Sequence, residues 1–258
     1  MALSRPSPGV AEIALTRPEL LNRFDAELHA AIIPVLRDLA GDPEVRAVVL
    51  SSTGRAFSAG GDFALMTEAH GDPAVRRALV DDARHLVDAF LDLPQPVVAG
   101  VQGPAVGLGA TVALLCDAVV AARSASLSDT HVTVGLVAGD GGCLVWPAAA
   151  GMLRARRHLL TGDPLDAETA LTLGLVTDLV DTADEAAPAA RGLAARIAAL
   201  SPLAVQGTKR VLNRVTAQRA GEVLDLSLAH EERTLASDDL LEGISAFREK
   251  RPPTFHGR

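Results

Sequence analysis

The sequence predicts an α/β protein, with buried strands and interleaved helices first and a helical C-terminal segment after them. Three observations carry this. The runs "VRAVVLSS" (45–52), "PVVAGV" (96–101) and "AVVAA" (118–122) are apolar on both faces, as strands inside a parallel sheet are. The stretches between them place apolar residues at helical spacing. From about residue 148 strand signals fade and helical ones take over.

In chain order, "VAEIAL" (10–15) alternates in character and reads as a strand that ends at "TRPEL", a turn into a helix. "FDAELHAAIIPVLRDLAGDP" (24–43) then puts Leu28, Ala31, Ile32, Val35, Leu36 and Leu39 on one helical face, and Gly-Asp-Pro stops it. The strand 45–52 follows, then a helix in "DDARHLVDAFLDLPQ" (81–95) and the strand 96–101. "GPAVGLG" (103–109) opens a helix over "ATVALLCD" (110–117), and the strand 118–122 comes next. In the tail, "RARRHLL", "DAETALTLGLV", "ADEAAPAARGLAARIAAL", "PLAVQGTKRVLNRV" and "LSLAHEERTLASDDLLEGISAFREK" all read as helices. No internal repeat or low-complexity segment stands out.

Composition narrows the function classes. Of the 258 residues 48% are hydrophobic and only 3% aromatic, so the core is built from Ala, Val and Leu. A net charge of -8 argues against nucleic acid or an anionic membrane surface as partner. The apolar runs are broken by Gly, Pro, Gln and Asp, and the N-terminal stretch lacks a secretory h-region, so a soluble cytoplasmic protein is expected. Cys116 and Cys143 have no His or Cys at ligand spacing; two reduced thiols and no metal site are expected.

Two glycine-rich loops carry the chemistry. "GRAFSAGGDF" (54–63) and "GPAVGLGATVALLCD" (103–117) each follow a buried strand, and the second opens a helix. No Gly-Lys-Ser/Thr follows the glycines, which excludes a phosphate loop, and "GLGATV" lacks the third glycine of a dinucleotide fingerprint. Two such loops together suit an oxyanion hole, one backbone N–H from each converging on a carbonyl oxygen. The helix dipole at the second loop favours the negative charge that develops there.

These loops, with "LSDTHVTVGLVAGDGG" (127–142) and "LLTGDPLDAETALTLGLV" (159–176), resemble the enoyl-CoA hydratase/isomerase family, the crotonase superfamily. The resemblance runs from "IALTRPELLNRFDAEL" to "GISAFREKRPPTF". It implies a crotonase-like spiral of repeated ββα units over residues 1–195 that binds acyl-CoA. A C-terminal helical region over 196–258 would then close the site and build a homotrimer, often paired as a hexamer. It implies an acyl-CoA thioester substrate, with coenzyme A part of the substrate and no other cofactor. By the same carry-over, Gly61 and Leu108 supply the oxyanion N–H groups and Ala59 lies along the CoA adenine. Lys250, Arg251 and Arg248 would meet CoA phosphates, and Phe255 would close over the acyl-CoA tail.

The chain departs from the family where hydratases carry two glutamates. Those positions are Thr111 and His131 here. Asp140, alone among glycines, becomes the acid/base candidate, against the alternative that it only caps the following helix. His131 is read as orienting Asp140, holding a water or acting as base, and Thr111 as holding a substrate or water by hydrogen bonding. Asp62 reads as a loop-stabilising residue, and Asp129 as solvated or capping. One acid/base group suits a double-bond isomerase better than a two-glutamate hydratase. The alternatives are a carbon–carbon bond hydrolase of a β-dicarbonyl substrate and a non-catalytic acyl-CoA-binding protein.

Overall fold

The computed structural model describes residues 1–258 and contains two sheets. The larger begins with a hairpin of β1 (Ala2–Ser7) and β2 (Val10–Leu15), which turns at Gly9. To β2 are added β3 (Ala47–Ser52), β4 (Val97–Val101), β6 (Ala118–Ala122) and β9 (Asp178–Val180), all parallel. The smaller sheet joins three short strands, β5 (Ala105–Val106), β7 (Ser126–Ser128) and β8 (Leu165–Asp166), in the order β5-β7-β8. Thus β4 and β6 each lead from the large sheet into a short strand of the small one and then towards a helix. This is the ββα spiral.

The helices follow from local chemistry. α1 (Ala26–Ala40) starts where the Asp25 carboxylate accepts the Leu28 N–H at 3.0 Å, and buries Leu28, Ile32, Leu36 and Leu39. α2 (Phe63–Gly71) and α3 (Pro73–Asp92) are likewise capped by Asp62 and Asp72. α4 (Leu108–Leu114) leaves the second glycine loop, and α5 (Gly142–Ala150), α6 (Met152–Leu159) and α7 (Ala167–Leu173) follow. α8 (Ala183–Ala198) covers one face of the large sheet, with Ala190, Ala194 and Ala198 against Val10, Val49, Val98 and Val120. The main core fills the other face. Strands apolar on both sides therefore have helices on both sides, and each buried Val or Leu contributes roughly 1.5–3 kcal/mol.

The C-terminal region is α9 (Pro202–Leu235) and α10 (Asp238–Glu249). The segments read as helices over 202–215 and 226–250 divide differently in the structure. α9 runs from the first into the second, because residues 216–225 contain no breaker beyond Gly221, which has open space around it, and the break falls instead at Ala236 and Ser237. The expected boundary after residue 195 falls inside α8, and α9 sends Ala220, Leu224 and Leu228 into the main core. Cys116 and Cys143 are separate thiols. No helix is long and apolar enough to cross a membrane.

Candidate active site

The two glycine loops are bound to each other before any ligand enters. Val106 N–H donates to Ser58 O at 2.9 Å and Phe57 N–H to Pro104 O at 3.0 Å. Gly60 takes φ +83 where a Cβ would stand 2.6 Å from Val106 O, and Gly107 takes φ +52 beside the His131 ring. The next residue in each loop is the candidate donor. Gly61 and Leu108 donate to no backbone carbonyl, Leu108 because it is the first residue of α4. Both line one inner cavity of about 30 Å³ with Asp140, His131, Glu231 and His29. An outer cavity of about 330 Å³ shares Gly61, Met66 and His131 with it and is lined further by Ala59, Gly107 and Phe247.

The loop 127–142 aims its aspartates at the histidine. Asp129 is fully buried and its Oδ1 lies 2.6 Å from His131 Nδ1. On the other side His131 Nε2 stands 3.2 Å from Asp140 Oδ2. Burial acts to lower the His131 pKa, but the Asp140 and Asp129 carboxylates outweigh it and hold the imidazole well above its ordinary value. Asp140 itself is 5% exposed, and its Oδ1 has no partner in the chain. It does not cap α5; Gly141 occupies the cap and no side chain accepts there.

Glu231, from α9, completes the cluster. One ligand atom each from His131, Asp140 and Glu231 lie within 4.8 Å of one another, a donor set of the size that holds a metal ion. Burial pushes the Glu231 carboxyl well above the ordinary carboxylate range, the Asp140 charge adds to this, and His131 opposes it. His29, on α1, is a further buried imidazole whose pKa burial pushes down. Sequence reading missed Glu231, although its signal is present. Leu224, Ser227, Leu228, Glu231 and Leu235 share one buried helical face, and a carboxyl on such a stripe is out of place.

Several expected residues stand elsewhere. Thr111 is fully buried on α4 and lines neither cavity; its methyl packs where Gly141 leaves room, and its Oγ1 has no partner in the chain. Asp129 is buried, not solvated; its Oδ1 partners the His131 ring and also accepts the His131 backbone N–H at 3.3 Å, a capping-type contact at the first residue of the short helical turn 131–134. Asp62 caps α2 and pairs with Arg23 at 3.4 Å, as a loop-stabilising residue would. Phe255 and Lys250 are exposed and line neither cavity, because the last residues are tied to α10 through Thr254, His256 and Gly257 N–H groups bonded to Glu242 and Asp239. Phe247 instead walls the outer cavity, edge-on to Phe63 at 5.2 Å. Arg251 is engaged by Glu242 and Glu249. A separate groove of about 250 Å³ holds Asp117, whose carboxylate is already taken by Lys209 at 2.7 Å.

Fold and site together define a spiral ββα enzyme with paired free amides beside a buried cluster of protonatable groups. The family profile described as Enoyl-CoA hydratase/isomerase matches residues 5–258, and the chain belongs to that family, an acyl-CoA enzyme of the crotonase superfamily. It is 34% identical over 258 residues to 1,2-epoxyphenylacetyl-CoA isomerase of Escherichia coli (strain K12), covering 99% of this chain and 98% of that one. It is 34% identical over 255 residues to (E)-benzylidenesuccinyl-CoA hydratase of Thauera aromatica, covering 96% of each. The crystal structure of an enoyl-CoA hydratase/isomerase from Mycobacterium paratuberculosis superposes with a TM-score of 0.88 at 38% identity, covering 94% of this chain and 97% of that one.

Proposed function

We propose that the chain is a double-bond isomerase of acyl-CoA thioesters, in which Asp140 moves a proton between two carbons of an enolate. The observation that carries this is the unpartnered Oδ1 of Asp140, buried in the same small cavity as the unengaged amides of Gly61 and Leu108. The thioester oxygen accepts from both amides. As the α-proton passes to Asp140, charge grows on that oxygen, and the amides bind it more tightly than they bound the carbonyl. Each such donor is worth roughly 2.7–4 kcal/mol in the transition state. His131, held by Asp129, fixes the other oxygen of Asp140 so that Oδ1 faces the substrate carbons. The outer cavity takes the pantetheine arm, with Ala59 towards the adenine. Neither Thr111 nor His131 supplies the carboxylates of water addition.

Exposed Leu203, Val211, Leu212, Val215 and Leu226 on α9 support a homo-oligomer, a trimer or paired trimers, that covers them. The pairing of His131 with Asp140 also favours a second reading, hydrolysis of a carbon–carbon bond in a β-dicarbonyl substrate, recognised by its carboxylate product.

Asp140→Asn tests the main reading. In heavy water the variant is expected to lose α-carbon hydrogen exchange on a bound acyl-CoA by about 10²–10⁴-fold while its affinity for the thioester stays. Undiminished exchange would remove Asp140 from the reaction.

A further inference from the structure

Isomerisation by one shuttling aspartate leaves a second carboxyl of the inner cavity without a task. Glu231 is 7% exposed, its Oε2 has no partner in the chain, and it forms no ion pair with a Lys or Arg. Its position is fixed from both sides. Ser227, one turn earlier on α9, donates to Gly139 O at 2.9 Å and so ties this helix to the residue before Asp140. Gly139 is what lets α9 approach, because a Cβ there would stand 2.6 Å from Glu231 Oε2 and from Ser227 O. The cavity it lines is walled by Phe24, Leu65, Leu79 and Leu235 and also by His29, Asp62, His131 and Asp140, and a carboxyl buried there beside the Asp140 carboxylate is cheaper to keep neutral than ionised. A neutral carboxyl is a proton donor.

We propose that Glu231 is a second catalytic acid, which protonates the far carbon of the enolate while Asp140 accepts the proton lost next to the thioester. This rests on the isomerase reading above. In a 3-enoyl thioester the C2–H bond breaks, its proton goes to Asp140 and its electron pair enters the dienolate. As the thioester carbonyl re-forms, the double bond moves to C2–C3 and C4 takes the Glu231 proton in a new C–H bond. That leaves Asp140 neutral and Glu231 ionised. One proton passed between them, over a separation of no more than 4.8 Å, restores the starting state, and no other reactant is consumed.

The hydrogen gained at C4 is then not the one that left C2. Wild-type enzyme is given a 3-enoyl-CoA deuterated at C2, mixed with the undeuterated compound labelled with carbon-13. The expected result is that little deuterium reaches C4 of its own molecule; it appears in the carbon-13 product or in solvent. Near-complete transfer within the same molecule overturns the proposal without any variant. Glu231→Gln keeps the shape but lacks the acidic proton, so Asp140 must do both steps: kcat is expected to fall about 10²-fold. Same-molecule transfer should rise several-fold. An unchanged label distribution in that variant also overturns it. Failure of the isomerase reading looks different, since exchange at C2 would then survive Asp140→Asn whatever Glu231 does.

Discussion

Asp129→Asn asks whether the imidazole between the two aspartates is a buried cation. The change keeps an oxygen near His131 Nδ1, now 2.6 Å from Asp129 Oδ1, but removes a charge from a fully buried site. Breaking a buried ion pair by neutralising one partner costs about 3–5 kcal/mol. For a chain of this size about 2–4 °C of Tm is lost per kcal/mol, so a drop of roughly 6–20 °C is expected. The pH dependence is the sharper signature. Folding raises the His131 pKa, so its stabilising contribution is complete below the unfolded value of about 6.5 and is lost as pH rises through the folded one. Without Asp129, burial is opposed chiefly by Asp140, and the loss moves to lower pH. The gap between variant and wild type is therefore widest below about 6.5 and narrows as pH climbs through the raised wild-type value. Urea titrations can follow Trp146, the single tryptophan, fully buried and stacked on His158 at 5.9 Å. Equal stabilities within about 0.5 kcal/mol at every pH would mean that His131 is neutral and Asp129 only an acceptor.

Gly139→Ala is expected to cost about 1–3 kcal/mol and to lower activity further, because the new methyl meets the α9 backbone at Ser227 O, 2.6 Å away. Gly221→Ala, also on α9 but with open space around it, is expected to stabilise by about 0.4–1 kcal/mol with activity unchanged; urea midpoints and turnover check both. Dialysis against a chelator is expected to leave turnover unchanged, since burial favours the neutral Glu231 carboxyl and the Asp140 and Asp129 carboxylates favour the His131 imidazolium, forms that do not bind a cation. A stoichiometric metal whose removal abolishes activity and whose return restores it would reverse that view.

Much of the fold was legible because its strands are buried on both faces, so continuous apolar runs marked β3, β4 and β6 almost to the residue. The small sheet was not legible. Its strands are two or three residues long, too short for any period, and exist only because the spiral brings them together. α2 carries no apolar stripe, burying only Met66 and Ala69, and gave no pattern to read. At the site, Asp140 stood out by its isolation among glycines and the two loops suggested paired amides, while the choice of Gly61 and Leu108 came only from the family resemblance. Asp129 looked ordinary because nothing local says that its neighbour His131 turns back on it. Glu231 sat in a charged stretch, "HEERT", where only the phase of α9 distinguishes the buried carboxyl from its half-buried neighbour Glu232.

The glycines around Asp140 each clear a different obstacle, which is why an aspartate can be buried there at all. Gly139 leaves space for α9 and the Glu231 carboxyl, Gly141 for the Thr111 methyl, and Gly142 for Asp129 Oδ2. Side chains at any of the three would push apart the elements that deliver a proton-transfer group or its support. The tail is for the same reason part of the site. Glu231 and Leu235 wall the inner cavity and Phe247 the outer one, so the two glycine loops face walled cavities only once α9 and α10 have docked. In the proposed reaction the amides of Gly61 and Leu108 act on a growing charge, and those walls limit competition from solvent.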